Sequence, residues 1–163
     1  AVWETEISFK LESAVKAVMA SSPDLRLSEV ISIKSAESQL QQMLGADDAS
    51  VELRNDILEL VDMFCCLFGL QRTGLRLATL NRAMCPRFHV DHVPCRLLKT
   101  YKGIATQWIP HAVVDRTKSV VDRHNQPDEL SGLFRSETEI ENLQSGQVAS
   151  LKRERWEGIR NQT

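Results

Sequence analysis

The sequence predicts an α+β fold in which helices precede short strands. Apolar residues recur at helical spacing from about Ile7 to Leu70. After Gly74 the pattern changes to short alternating stretches that proline and glycine interrupt, which is typical of strands joined by turns. Because helices and strands are segregated along the chain, we expect the helices to pack on antiparallel strands that close into a small barrel or sandwich.

Three helices are predicted in the first half of the chain. The first runs from about Ile7 to Ala20, and the second runs from Ser35 to Leu44, where Gly45 ends it. The third runs from about Asp47 to Leu70 and has the widest apolar stripe. That stripe comprises Val51, Ile57, Leu58, Leu60, Val61, Phe64 and Phe68.

The second half is predicted to contain short strands and one long loop. Strands are expected at residues 75–81, 88–91, 96–101, 106–109 and 147–151. Residues 111–144 are polar and irregular, so we expect a long surface loop that covers the site as a lid. We expect one domain, with a helical layer at residues 1–73 and a β-rich part at residues 74–163.

Composition excludes several classes of function. With a formal net charge of −2 and 26% charged residues, the chain has no basic footprint, so we expect no nucleic-acid partner. No apolar run is long enough to span a bilayer, so we expect no membrane partner. Four cysteines are too few for a disulfide scaffold, and the adjacent Cys65 and Cys66 lie in an apolar helical pattern that predicts buried thiols. These features favour a reducing cytoplasm.

One short segment concentrates the metal-binding chemistry of the chain. Residues 85–95 contain two cysteines, two histidines and one aspartate. If residues 88–92 are extended, His89 and Asp91 point to the same side, because side chains two residues apart share a face of a strand. Such an H-x-D pair supplies two ligands of the facial His/carboxylate/His triad of non-haem iron oxygenases. The third ligand would then come from a distant strand.

The same segment supports two other interpretations. Cys85, His89, His92 and Cys95 would form a local four-ligand zinc site if the segment turns rather than extends, and its prolines permit such turns. A closed site of this kind would be structural rather than catalytic. In the third interpretation there is no metal, His89 and Asp91 pair with each other, and the protein is an interaction domain. The spacing alone leaves all three open.

Two blocks of the sequence resemble a known family. The first block carries the resemblance through Cys85, Pro86, Phe88, His89, Asp91, Arg96, Leu97, Thr100, Tyr101, Gly103, Thr106 and Trp108. The second block, residues 145–156, is similar to a G-D-V-x-x-L-K-G-x-x-W pattern, with Gln147 in place of aspartate. Together they resemble a bacterial family classed as domain of unknown function 1826. The chain departs from that family at Ala105, where glycine is usual.

The order of these motifs is similar to that of double-stranded β-helix oxygenases that use iron and 2-oxoglutarate. The resemblance implies a jelly-roll-like barrel in which His89 and Asp91 bind Fe(II) and Tyr101 contacts 2-oxoglutarate. In the family a His-Arg-Ser-Pro segment follows the second block, so we expect a truncated chain whose third metal ligand lies beyond its C-terminus. The leading hypothesis is an iron- and 2-oxoglutarate-dependent dioxygenase that acts on an unidentified small-molecule or protein substrate.

The alternative function is a non-enzymatic zinc-binding protein linked to metal homeostasis. The resemblance implies this function because the family looks like one related to metal-handling proteins. Its ligands would come from Cys85, His89, His92 and Cys95. The two hypotheses make opposite predictions for variants. Under the oxygenase hypothesis Asp91→Ala loses the metal and Cys85→Ala keeps it, whereas under the zinc hypothesis the pattern reverses and metal loss unfolds the segment.

Overall fold

The computed structural model describes residues 1–82, 87–89, 93–115, 128 and 131–152 of the chain. This part of the chain divides into two compact units, one made of residues 7–82 and the other of residues 1–6 with the described residues from 87 to 152. Both helices and antiparallel sheets are present, which confirms the predicted α+β class. No helix within these ranges is long and apolar enough to cross a membrane.

The described residues form three α-helices and seven strands. The helices are α1 (Phe9–Ser21), α2 (Ala36–Leu44) and α3 (Val51–Phe68). The strands are β1 (Val2–Trp3), β2 (Arg26–Ser32), β3 (Arg72–Ala78), β4 (Cys95–Lys99), β5 (Gln107–Trp108), β6 (Glu141–Asn142) and β7 (Val148–Lys152). All pairings between the strands are antiparallel.

The three helices form where the sequence predicts them, with ends that local hydrogen bonds define. Ser8 caps α1 because its hydroxyl accepts the backbone N–H of Leu11 at 3.1 Å. The third helix begins at Val51 rather than at Asp47, since Asp47 instead caps a 3₁₀ turn over residues 48–50. Gly69 ends α3 with a φ of +61°, a left-handed conformation that glycine adopts without steric cost.

The helical unit also contains a two-stranded ribbon, β2 paired with β3. The sequence pattern did not predict β2, and it placed the next strand at residues 75–81, whereas β3 begins three residues earlier. On one face of the ribbon Ile31 is fully buried, and the core of the unit continues through Leu40 of α2 and Ile57 of α3. The ribbon therefore belongs to the helical layer, not to the β-rich part.

The β-rich unit is built around β7, the central strand of a three-stranded sheet in the order β1-β7-β4. Val148, Ala149 and Ser150 of β7 are buried. A second ladder pairs β5 with β6, so the predicted loop at residues 111–144 contains a strand and a 3₁₀ turn at Glu137–Glu139. Within the described ranges these strands form separate open sheets rather than a closed barrel.

Candidate functional site

The predicted metal segment is described in part. Arg87, Phe88 and His89 precede a gap, and the described chain resumes at Val93 and enters β4 at Cys95. Cys85, Asp91 and His92 lie outside the described residues. The geometry therefore bears on one ligand of the H-x-D pair, His89, and on two members of the zinc set, His89 and Cys95.

His89 is exposed and its imidazole has a defined hydrogen-bond neighbour. Its Nδ1 atom lies 2.9 Å from the backbone oxygen of Arg87. When Nδ1 donates its proton to that carbonyl, the ring's lone pair is on Nε2. Histidines that bind metals commonly donate their second ring nitrogen in this way, which fixes the tautomer and the ring orientation. The chemistry of His89 thus fits a metal ligand that coordinates through Nε2.

Two contacts from a distant part of the chain hold the backbone beside His89. The N–H of Phe88 donates to the Oδ2 atom of Asp128 at 2.8 Å. The ring of Phe88 meets that of the buried Phe134 edge to face, with centroids 6.0 Å apart. Asp128 is itself held by Ser131, whose hydroxyl donates a hydrogen bond to the Asp128 backbone oxygen at 2.6 Å. A hydrogen bond and an aromatic contact therefore fix the position of the residue next to His89.

A cavity of about 330 Å³ lies on the stretch that supplies Phe134. Residues 112–115 and 132–135 line it, and the N–H of Asp115 donates to the Leu133 oxygen at 2.8 Å to join its two walls. The volume is within the range of small-molecule sites. Asp115 and Arg135 contribute one acidic and one basic side chain, and the surface that lines the cavity is more polar than apolar although the other residues are apolar in type. Such a cavity suits a small polar molecule.

Cys95 and Tyr101 both have identified contacts. The Sγ atom of Cys95 lies 3.3 Å from the hydroxyl oxygen of the buried Ser150, across the β4–β7 pairing. Tyr101 is half-buried, and the Nζ atom of Lys99 lies 5.4 Å from the centroid of its ring, a cation–π distance. The predicted contact between Tyr101 and 2-oxoglutarate stays a prediction.

Asp128 and Phe134 are site residues that sequence reasoning missed. They lie within the polar stretch at residues 111–144, which the sequence identifies only as a loop. Their contacts with Phe88 span 40 and 46 residues, and no local periodicity signals pairings over such separations. The described residues contain no group of three or more His, Cys, Asp or Glu side chains positioned to hold a metal ion.

Comparison with known proteins identifies the family. The family model described as "Protein of unknown function (DUF1826)" matches residues 1–163. The chain belongs to this family. The match to DUF1826 covers the helical unit as well as the two blocks, residues 85–108 and 145–156, whose motifs carry the resemblance. No curated protein and no solved structure matches the chain.

Proposed function

We propose that this protein is a metal-dependent oxygenase-like protein of the iron/2-oxoglutarate type, in which His89 and Asp91 form the H-x-D half of the metal site. The observation that carries the proposal is the hydrogen bond between His89 Nδ1 and the Arg87 oxygen, which places the imidazole lone pair on Nε2, the nitrogen that would bind the metal. When bound, Fe(II) would activate dioxygen, the oxidant: one oxygen atom would be used in the oxidative decarboxylation of 2-oxoglutarate and the other would hydroxylate a substrate C–H bond.

The chain's own residues would position the reactants. Asp128 and Phe134 contact Phe88 and so fix the position of the residue that directly precedes the H-x-D pair. The cavity at residues 112–115 and 132–135 would admit a small polar molecule, with Arg135 available to a carboxylate. Tyr101 is the proposed contact for 2-oxoglutarate. The ammonium group of Lys99 beside its ring would lower the electrostatic energy of an anion bound nearby.

The proposed fold of the β-rich unit is a double-stranded β-helix, the jelly-roll-like barrel of such oxygenases. Two features support it: a three-stranded antiparallel sheet centred on β7, and a separate antiparallel ladder of β5 and β6. A jelly roll consists of two antiparallel sheets face to face. We also propose a reducing cytoplasmic location, which the free thiols of Cys65, Cys66 and Cys95 support.

The decisive experiment is metal analysis of the full-length protein, including any sequence that follows residue 163, purified without oxygen. Wild-type protein is compared with His89→Ala, Asp91→Ala, Cys85→Ala and Cys95→Ala by elemental analysis, and circular dichroism checks that each variant is folded. We expect iron in the wild type and in both cysteine variants, and loss of iron from the other two. Zinc that disappears with either cysteine would establish the zinc-binding alternative. Absence of bound metal from every preparation would overturn both.

A second test concerns Asp128, which should position the metal segment rather than bind the metal. We expect Asp128→Ala to weaken iron binding about tenfold, because Phe88 loses the acceptor that fixes it. Asp128→Asn retains a side-chain oxygen and should bind nearly as well as the wild type. Glu137→Ala, an exposed change on the same stretch, is the control. Affinities are measured by competition with a chelator, and an unchanged affinity in Asp128→Ala would contradict this role.

A further inference from the structure

The β2–β3 ribbon has one buried and one exposed face. The more buried face carries Leu27, Glu29, Ile31, Thr73, Leu75 and Leu77; of these Ile31 is fully buried, Glu29 is exposed and the others are half-buried. The exposed face carries Arg26, Ser28, Val30, Arg72, Gly74 and Arg76, which we call the arginine face. Within the described structure Arg26, Arg72 and Arg76 make no ion pair. Three arginines therefore face solvent around a small apolar patch.

A glutamine side chain reveals the direction of the ribbon's backbone groups. Gln39 of α2 donates from Nε2 to the oxygen of Val30 at 3.1 Å, and its Oε1 accepts the N–H of Ser32, also at 3.1 Å. The backbone groups of Val30 and Ser32 therefore point away from β3. Residues opposite each other in an antiparallel ladder share this orientation. Their partners Gly74 and Arg72 must then direct their own backbone groups outward from β3.

The two outer edges of the ribbon consequently differ. The edge of β2 is occupied at one end by the Gln39 amide, which takes the place of a neighbouring strand. The edge of β3 presents the N–H and C=O groups of Arg72, Gly74 and Arg76, and no strand among the described residues pairs with it. An unpaired edge of this kind is a template for an added strand.

Side chains along the β3 edge define what the added strand would contain. Arg72 and Arg76 lie on the same face, about 13 Å apart along the strand. Gly74 lies midway, and a Cβ atom built on it would meet no other atom within 4 Å. Behind this gap is Val30, the residue paired with Gly74, which is 58% exposed. The edge thus has one cation on each side of an open gap at Gly74, and the apolar side chain of Val30 lies behind that gap.

We propose that the β3 edge binds an extended acidic peptide segment of a partner protein as an additional strand. The segment would have Asp or Glu at two positions four residues apart, opposite Arg72 and Arg76, and a large apolar residue midway between them. That residue would fill the space over Gly74 and contact Val30. Opposite charges on directly paired strand positions stabilise the pairing. The same arginines would repel basic peptides and a second copy of this edge.

A peptide fits the edge better than a nucleic acid does. Phosphates would pair with the arginines, but a sugar-phosphate backbone cannot reproduce the alternating donors and acceptors of a strand. The acidic residues Glu52, Glu59 and Asp62 of α3 in the same unit would also oppose a long polyanion. A short acidic strand uses both the side chains and the backbone groups of the edge.

The test uses the full chain and a fluorescein-labelled peptide with the sequence Ser-Thr-Glu-Thr-Phe-Thr-Glu-Thr-Ser. Binding is followed by fluorescence anisotropy. We expect saturable binding that weakens about tenfold when glutamine replaces both glutamates, and again when serine replaces the phenylalanine. Hydrogen exchange should slow at the amides of Arg72, Gly74 and Arg76 in the complex, because strand addition protects those groups.

Variants of the protein complete the test. Arg72→Glu and Arg76→Glu should each weaken binding about tenfold, whereas Lys10→Glu, with the same change of charge on α1, should leave it unchanged. Gly74→Val should fold, because Gly74 has no positive φ and its Cβ meets open space, yet it should abolish the preference for phenylalanine over serine. Equal binding of the glutamine peptide, or no binding, would overturn the proposal. So would tighter binding of an oligothymidylate without protection of the β3 amides.

Discussion

Arg54 shows how a single buried side chain can organise a connection between helices. It is 6% exposed, and its Nη1 atom donates to the backbone oxygens of Gly45 and Asp47 and to the hydroxyl of Ser50. Ser50 in turn donates to the Asp47 carboxylate at 2.9 Å. The chain between α2 and α3 is therefore folded around a cation that lies inside the protein. A buried cation depends strongly on such acceptors.

We expect Arg54→Ala to lower the free energy of unfolding by about 3 kcal/mol, because three acceptors lose their donor and a cavity replaces the side chain. Arg54→Lys should recover part of this loss, since an ammonium group can reach some of the same oxygens. The measurement is urea unfolding followed by circular dichroism. Arg82→Ala, at an exposed arginine, is the control and should change stability by less than about 0.5 kcal/mol.

The adjacent Cys65 and Cys66 have different surroundings on α3. Cys65 is almost completely buried, whereas Cys66 is exposed, so only one of the two predicted buried thiols is buried. Burial and, to a smaller extent, the charge of Asp62 raise the pKa of the Cys65 thiol above its ordinary value. The folded protein therefore keeps this thiol protonated at a pH where an unfolded chain has begun to ionise it.

This difference in pKa predicts how stability depends on pH. Between the ordinary thiol pKa and the raised value, the folded state binds more protons than the unfolded state, so stability falls as pH rises through that window. We expect the free energy of unfolding to decrease less steeply above about pH 8.5 in Cys65→Ala than in the wild type. Urea unfolding at a series of pH values measures this slope. Cys66→Ala should keep the wild-type slope, and an equal change in both variants would refute the assignment.

At the scale of elements, Gln39 acts as a substitute strand. Its amide reproduces the two hydrogen bonds that a neighbouring strand would make with Val30 and Ser32. The hydroxyl of Ser35 donates a further hydrogen bond to the Gln39 Oε1 atom at 3.0 Å. Edge strands with unsatisfied backbone groups promote association between chains. One side chain of α2 therefore satisfies and shields part of the β2 edge.

Gln39→Ala should destabilise the protein by about 1–2 kcal/mol, since two backbone groups of β2 lose their partners. The amide of Ser32 should exchange with solvent faster, and light scattering should detect more self-association on heating. Gln42→Ala changes an exposed glutamine of the same helix and should do neither. Unchanged exchange at Ser32 in Gln39→Ala would show that the amide does not protect this edge.

The elements also show which structure the sequence can predict. The three helices follow from apolar periodicity and from caps such as Ser8 and Gly69, which are local signals. Strand β2 cannot be predicted from local signals, because its buried face is short and its partner β3 follows α2 and α3 in the sequence. The contact that holds the proposed metal-binding segment is not predicted for the same reason, because Asp128 is 40 residues from Phe88. Contacts distant in sequence leave no local pattern.

At the scale of the whole molecule, the residue composition and the order of elements suffice for the α+β class. The predicted division at residue 74 falls within β3. This strand belongs with the helices because it pairs with β2 in the same compact unit. Each compact unit has its own buried residues, among them Leu40 and Ile57 in one and Val148 and Phe134 in the other. The expectation of a single domain stays a prediction.

The proposed metal binding should also be measurable as an increase in the stability of the whole molecule. A ligand that binds only the folded state stabilises it in proportion to the logarithm of its concentration, by about 2.7 kcal/mol at one hundred times its Kd. For a chain of this size such a gain corresponds to a rise in Tm of roughly 5–10 °C. We expect Fe(II), added without oxygen, to produce this rise in the wild type and not in His89→Ala.

The same melting experiment separates the two metal hypotheses. Cys95 contacts Ser150, so Cys95→Ala should lower the Tm of the metal-free protein slightly under either hypothesis. Under the oxygenase hypothesis the additional rise with Fe(II) persists in Cys95→Ala. Under the zinc hypothesis Zn(II) gives the larger rise, and Cys95→Ala abolishes it while Cys66→Ala, at an exposed thiol of α3, retains it. The metal-dependent difference in Tm, rather than the Tm itself, therefore identifies the ligands.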